Sequence, residues 1–213
     1  MNEENSKHQQ AQLRSQTYQL FAGLLHQAMS KPQWSALVVW AKQIDGCSFL
    51  ADIQQWILDN ALLDTTGIQL LASDFTRLYR GIGEGYGPPP PYEHLYRENA
   101  EPVSCQNAVI QCYNNNNLLP QDPYHNSSDH IVAQLHYMAL LAAKVPQQGI
   151  GDITIHHETN SPQLSFLKQH LLTWVTPWLK IITDQHSQLA FYPKLTQALV
   201  CFLQQDAYYL SGR

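Results

Sequence analysis

Residues Asp74 to Tyr96 read DFTRLYRGIGEGYGPPPPYEHLY. Phe75, Leu78 and Tyr79 share one helical face through i, i+3 and i+4 spacing. Gly81, Gly83, Gly85 and Gly87 then fall at every second position, and glycine reaches backbone angles that a helix cannot continue through. Pro88 to Pro91 fix φ, remove backbone donors and favour an extended polyproline II rod. Tyr92 and Tyr96 restore i, i+4 spacing, as a new helical turn would. A hinge, a rod and two aromatics in one connection point to a functional loop, since binding chemistry gathers on such loops. Two other readings stand beside it. The stretch is a plain helix connection whose aromatics cap the core, or the prolines are a rod that docks in an aromatic groove.

Working backwards from this stretch, every segment reads as helix. Leu13, Leu20, Phe21, Leu24, Leu25 and Ala28 trace one stripe, ended near Lys31-Pro32. Trp34, Leu37, Val38, Ala41 and Ile44 trace a second, closed near Gly46. Phe49, Leu50, Ile53, Trp56 and Ile57 trace a third, and Ile68, Leu71, Phe75, Leu78 and Tyr79 a fourth. No sustained period-two alternation occurs, so strands lack support.

Working forwards, Ala108, Val109, Cys112 and Tyr113 predict a short fifth helix. Residues 114–126, NNNNLLPQDPYHN, carry no periodicity and form a candidate hinge. Ser127, Ser128 and Asp129 are suitable N-caps for a helix through Ile131, Leu135, Met138, Ala139 and Ala142. Residues 147–160 read as loop. Ser161-Pro162 is a clean helix start. The helix that follows holds Pro177, whose ring opposes the Thr173 carbonyl and predicts a kink. A last helix presents Phe191, Leu195, Ala198, Leu199, Phe202 and Leu203. The expectation is an all-α fold: a compact bundle of about eight amphipathic helices and no sheet. Residues 1–9 are expected to be a disordered tail, and 10–213 a single all-helical domain with its hinge at 114–126.

Charged residues make up 14% of the chain, against ~25% in a typical globular protein, and the net charge is −5. That balance excludes a general nucleic-acid binder, which needs a basic face, and suits a cationic partner. No apolar run reaches the ~18 residues of a membrane span, and the polar start lacks a secretory h-region. Cys47, Cys105, Cys112 and Cys201 form no CxxC pair, so no structural zinc is expected. Cys105 and Cys112 read as half-buried small hydrophobes. His156-His157-Glu158 falls in a loop and HExxH is absent, so no metal is expected. GxSxG is also absent, and GIGEGYG lacks the strand and the Lys-Ser/Thr of a phosphate cradle. Asp129-His130 opens a helix, where an aspartate suits the macrodipole and a histidine is pushed toward neutrality.

DFTRLYRGIG, PPYEHLY, SDHIVAQLHYMALLA, FLKQHLLTWVTPWL and FYPKLTQALVCFL occur in that order. From about Asp74 to Phe202 the chain resembles the TorD/DmsD family of cytosolic chaperones for molybdoenzymes, the redox-enzyme maturation proteins. The resemblance implies an all-helical, cytoplasmic, non-enzymatic protein with no cofactor of its own. It implies binding to the twin-arginine leader and the body of a molybdopterin-dependent oxidoreductase, holding back its export and assisting cofactor insertion. Leu78 and Tyr79, Pro90, Pro91 and Tyr92, and Tyr96 match family elements. Asp129 and His130 match the Asp-His pair implicated in leader binding, while His170 and Trp174 match positions that look structural. His94 stands where the family usually carries a small residue.

The residues agree with that picture. A leader with two guanidinium groups and an apolar segment needs an apolar groove with a carboxylate rim. Tyr79, Tyr86, Tyr92 and Tyr96 offer aromatic area, and Glu84, Glu93 and Asp129 the rim. The competing expectations are a metal-dependent helical enzyme built on Asp129 and His130, and an adaptor docking through Pro88–Pro91. The long hinge predicts mostly monomer with some domain-swapped dimer.

Overall fold

The computed structural model describes residues 3–44, 48–81, 87–118, 128–144 and 161–212. Among them the backbone is helical or irregular, in the order α1 (Glu3–His26), α2 (Lys31–Gln43), α3 (Ala51–Asp59), α4 (Thr65–Tyr79), α5 (Glu93–Tyr96), α6 (Pro102–Asn115) and α7 (Ile131–Ala143). A continuous run follows: α8 (Pro162–Phe166), a π-helical segment at Leu167–Leu171, and α9 (Leu172–Asp184). Helix α10 (Phe191–Leu210) closes the chain. The expected all-α bundle is what forms.

Helix α10 is the hub. Phe202 meets Tyr18 and Phe21 of α1 at ring-centroid distances of 4.8 and 5.7 Å. Phe191 meets Trp34 of α2 and Trp56 of α3 at 5.7 and 5.8 Å. Tyr192 meets Phe75 and Tyr79 of α4 at 5.6 and 5.3 Å. These pairs prefer offset and edge-on contacts, and both kinds occur here. Helix α7 is apolar nearly all round and buried nearly all round, as such helices must be. Its main partner is α1, where Ser15 Oγ donates to the Ala139 carbonyl at 2.9 Å.

Helix starts follow local chemistry. Asp64 accepts from the Gly67 amide at 2.8 Å and Ser161 from the Leu164 amide at 3.2 Å, so the predicted Ser161-Pro162 start forms. Four expectations change. Residues 3–9, expected to be a disordered tail, belong to α1, because its helical hydrogen bonding starts at Glu3. The core stripe of α1 is Tyr18, Phe21, Ala22 and Leu25, whereas Leu13 is 55% exposed. Helix α6 begins at Pro102, where Glu101 accepts from the Val103 and Ser104 amides, and runs on to Asn115 inside the expected hinge. The cap of α7 is His130, not Ser127, Ser128 or Asp129: its Nδ1 accepts from the Val132 amide at 3.2 Å. The remainder of the 114–126 hinge beyond Leu118, and His156-His157-Glu158, lie outside the described residues.

Two buried carboxylates tie α10 and the residues before it to α1 and α4. Asp206 of α10 pairs with Arg14, with Arg14 Nη2 donating at 2.9 Å, and accepts from Tyr18 Oη at 2.6 Å. Asp74 of α4 accepts from the Gln188 and Leu189 amides at 3.0 and 2.8 Å and so fixes the approach to α10.

Candidate functional site

The glycines earn their place where the proline segment leaves and returns to α4. Gly81 has φ +59°, and a Cβ there would lie 2.3 Å from Pro90 Cδ. A Cβ on Gly87 would lie 2.0 Å from the Arg77 carbonyl oxygen. Only glycine allows so close an approach. The prolines are not a free rod: Pro88 and Pro91 are buried, Pro90 is half-buried and Pro89 is exposed. The Tyr96 hydroxyl donates to the Pro89 carbonyl, which pins the segment over α5.

This segment meets the turn before α7. Tyr92 and His130 form an antiparallel bridge. The Ile131 amide donates to the Pro91 carbonyl and the Glu93 amide to the Asp129 carbonyl, both at 3.0 Å. The Tyr92 and His130 rings meet edge-on with centroids 4.9 Å apart. The two stretches singled out in the sequence therefore form one junction.

Inside it, the Asp129 side chain has none of its surface exposed. Its Oδ2 lies 2.5 Å from His94 Nδ1 and accepts from the His94 amide at 3.3 Å. Its Oδ1 accepts no hydrogen bond among the described residues. His130 is buried beside it as a neutral ring. Burial pushes its pKa down to about 3, with the charges of Arg80 and His26 acting in the same direction. Neutrality suits its cap role, since Nδ1 must keep a lone pair for the Val132 amide.

Behind the junction lies a second polar network. The Glu93 carboxylate is fully buried. It accepts from Arg97 Nη1 at 2.7 Å and Gln134 Nε2 at 2.6 Å, and contacts His170 Nδ1 at 3.1 Å. Gln134 Oε1 accepts from Trp174 Nε1 at 3.1 Å. Burial would raise the pKa of Glu93, but the bonds from His170, Arg97 and Gln134 outweigh it and hold the pKa below the usual carboxylate value.

The site residues expected from sequence divide accordingly. Pro90, Pro91, Tyr92, Tyr96, Asp129 and His130 come together at the junction. Leu78 and Tyr79 do not reach it as contact residues. Leu78 is fully buried, and the Tyr79 hydroxyl is held in the core by the Tyr192 carbonyl and Thr196 Oγ1. The carboxylate rim is also corrected: Glu93 and Asp129 lie inside, Glu93 held by Arg97 and His170 and Asp129 by His94 through one of its two oxygens. Glu84 and Tyr86 lie outside the described residues. Sequence reasoning missed His94 as the partner of Asp129, for a contact 35 residues away leaves no periodic signal. It also missed the Glu93–Arg97 pair, whose i, i+4 spacing was legible.

Comparisons with known proteins agree with this architecture. Residues 47–180, more than half of the chain, match the nitrate reductase delta subunit family. The chain is 29% identical over 201 residues to the chaperone protein TorD of Actinobacillus pleuropneumoniae serotype 3 (strain JL03), covering 89% of this chain and 92% of that one. It is 24% identical over 147 residues to the chaperone protein TorD of Aliivibrio salmonicida (strain LFI1238), covering 67% and 65%. Fold and relatives together define a helical chaperone of the TorD/DmsD class rather than an enzyme. The chain belongs to the nitrate reductase delta subunit family. Membership sets aside the expectation of a metal-dependent enzyme. No helix among the described residues is long and apolar enough to cross a membrane.

Proposed function

We propose that this chain is a cytoplasmic chaperone that binds the twin-arginine leader of a molybdopterin-dependent oxidoreductase at the Tyr92–His130 junction, holds back export and assists cofactor insertion into the enzyme body. The observation that carries the reading is the Asp129 carboxylate, buried with one oxygen on His94 and the other accepting no hydrogen bond among the described residues. A guanidinium is a planar fork that fits both oxygens of a carboxylate at once. A leader arginine would take the place of the His94 ring and satisfy Oδ1 as well. Half-buried Tyr92 and Pro90, with Leu95 43% exposed beside them, offer apolar contact for the rest of the leader. The net charge of −5 favours approach of a cationic segment.

Titration calorimetry with the leader peptide of the partner reductase tests this. Replacing both leader arginines by glutamine should weaken binding about tenfold or more, the range of a lost charged hydrogen bond. Equal affinity for the two peptides would remove arginine recognition from the reading. We further propose that the chain from α1 to α10 acts as one domain, mostly monomeric with a minor swapped dimer. A sizing column showing one large fixed oligomer would contradict that.

A further inference from the structure

A different set of groups meets where α6 faces the π-helical segment. Cys112 is half-buried on α6, with its Sγ 3.6 Å from His170 Nε2. On its other side, His170 Nδ1 lies 3.1 Å from both Glu93 oxygens. The Phe166 ring stacks on the imidazole at 4.8 Å and 29°. The Cys112 carbonyl accepts from Tyr137 Oη at 2.8 Å and Asn116 Nδ2 at 3.1 Å. Sulfur, ring and carboxylate are thus each held in place.

We propose that Cys112 is a nucleophilic thiol, set against His170 and oriented through it by Glu93, and that it reacts with low-molecular-weight disulfides. Nucleophile, imidazole and a third orienting group form the arrangement that activates a thiol in unrelated folds.

The backbone around His170 supports the reading. Its five-residue π-helical segment departs from α geometry, and such bulges concentrate at functional sites. Thr173 Oγ1 donates to the His170 carbonyl at 2.5 Å and Arg97 Nη1 to the Gln169 carbonyl at 3.2 Å. Side chains thus bond carbonyls of the bulge itself.

Charge supports it as well. Burial would lower the pKa of His170, but its bonds to Cys112 and Glu93 prevail and hold the ring protonated up to about 9. Glu93 supplies one negative charge against the two positive charges of Arg97 and His170. The cationic ring therefore faces Cys112 Sγ directly, at 3.6 Å. Cys105, on the same helix, is the contrast: burial and the charges of Glu93 and Asp129 push its thiol up to about 12, and it stays neutral.

The small disulfide is itself the oxidant, so the step needs no other. The Cys112 thiolate attacks one sulfur of the disulfide, a new S–S bond forms and the old one breaks. The departing thiolate takes a proton from water.

Cys201 serves as an internal comparator. It is also half-buried, but its sulfur accepts from the Gln197 amide at 3.2 Å instead of facing a histidine. Reduced full-length chain is treated with hydroxyethyl disulfide at pH 6.5, and each cysteine is followed by peptide mass spectrometry. Cys112 should react about tenfold faster than Cys201. A ratio below about threefold overturns the proposal, as does a ratio that stays constant as the pH is raised past 9. In His170→Gln the ratio should fall below threefold, and an unchanged ratio overturns the role of the imidazole. The wild-type comparison needs no variant, so it decides the matter even where His170→Gln fails to fold.

Discussion

Asp129 Oδ2 lies 2.5 Å from His94 Nδ1, joining the turn before α7 to the helix that follows the prolines. His94 is half-buried and Asp129 is fully buried, so the histidine is the outer member of the pair. The contact gives the proposed leader site a defined resting partner.

Removing that partner should separate stability from binding. In His94→Ala the Asp129 carboxylate loses its side-chain bond, and stability should fall by about 1–3 kcal/mol. Leader affinity should rise, because no ring has to be displaced. Denaturant unfolding and calorimetry on the same preparation read both effects. Weaker leader binding with unchanged stability would contradict the displacement reading.

Asp129→Asn should leave a fold that still accepts the His94 amide but offers a poorer partner to a guanidinium. Leader affinity should drop by about tenfold, and the drop should shrink at high salt. Titrations at low and high ionic strength provide the check.

Stability should peak near neutral pH. Folded His130 takes its proton only at about 3, whereas the unfolded value is about 6.5. Its contribution is therefore complete above about pH 6.5 and is lost as the pH falls from there toward 3. His170 acts in the opposite sense. Its folded value of about 9 exceeds the unfolded one, so its contribution is complete below about pH 6.5 and is lost as the pH rises through 9. Glu93 adds to the acid limb, because its lowered pKa favours the fold only above its unfolded value. Thermal unfolding from pH 4.5 to 9.5 should trace both limbs. His130→Asn, which keeps a cap acceptor, should flatten the acid one.

Gly87→Ala should destabilise by about 1–3 kcal/mol, the cost of overpacking. The new methyl would meet the backbone oxygen of Arg77, which cannot swing aside as a side chain can. A melting temperature equal to wild type would show that the proline segment is free to lift away from α4.

Asp206→Ala should cost about 3–5 kcal/mol, since it leaves Arg14 and Tyr18 facing each other without their shared acceptor. Chemical denaturation of the variant measures it directly.

The helices were legible because their apolar spacing survives without knowledge of neighbours. The stripes Leu71, Phe75, Leu78, Tyr79 and Phe191, Leu195, Leu199, Phe202 are buried as read. Caps were less legible. His130 takes the role expected of Ser127 to Asp129, because Asp129 is drawn away by His94, a choice made by tertiary contact. Juxtaposing the proline segment with the Asp129 turn came from family likeness and not from spacing. That Asp129 and Glu93 lie inside could not be read either, as nothing local reveals that His94, His170 and Gln134 wait to receive them. The π-helical segment left no signal, for LKQHL continues an ordinary helical rhythm.

The pairing of α1 with α7 has a bearing on synthesis. Ser15 and Ala139 are 124 positions apart, yet their helices cover one another. A nascent chain must carry the greasy side of α1 uncovered until the 124 positions from Ser15 to Ala139 have been made. The order of emergence thus sets a delay during which the protein that guards others is itself in need of shelter.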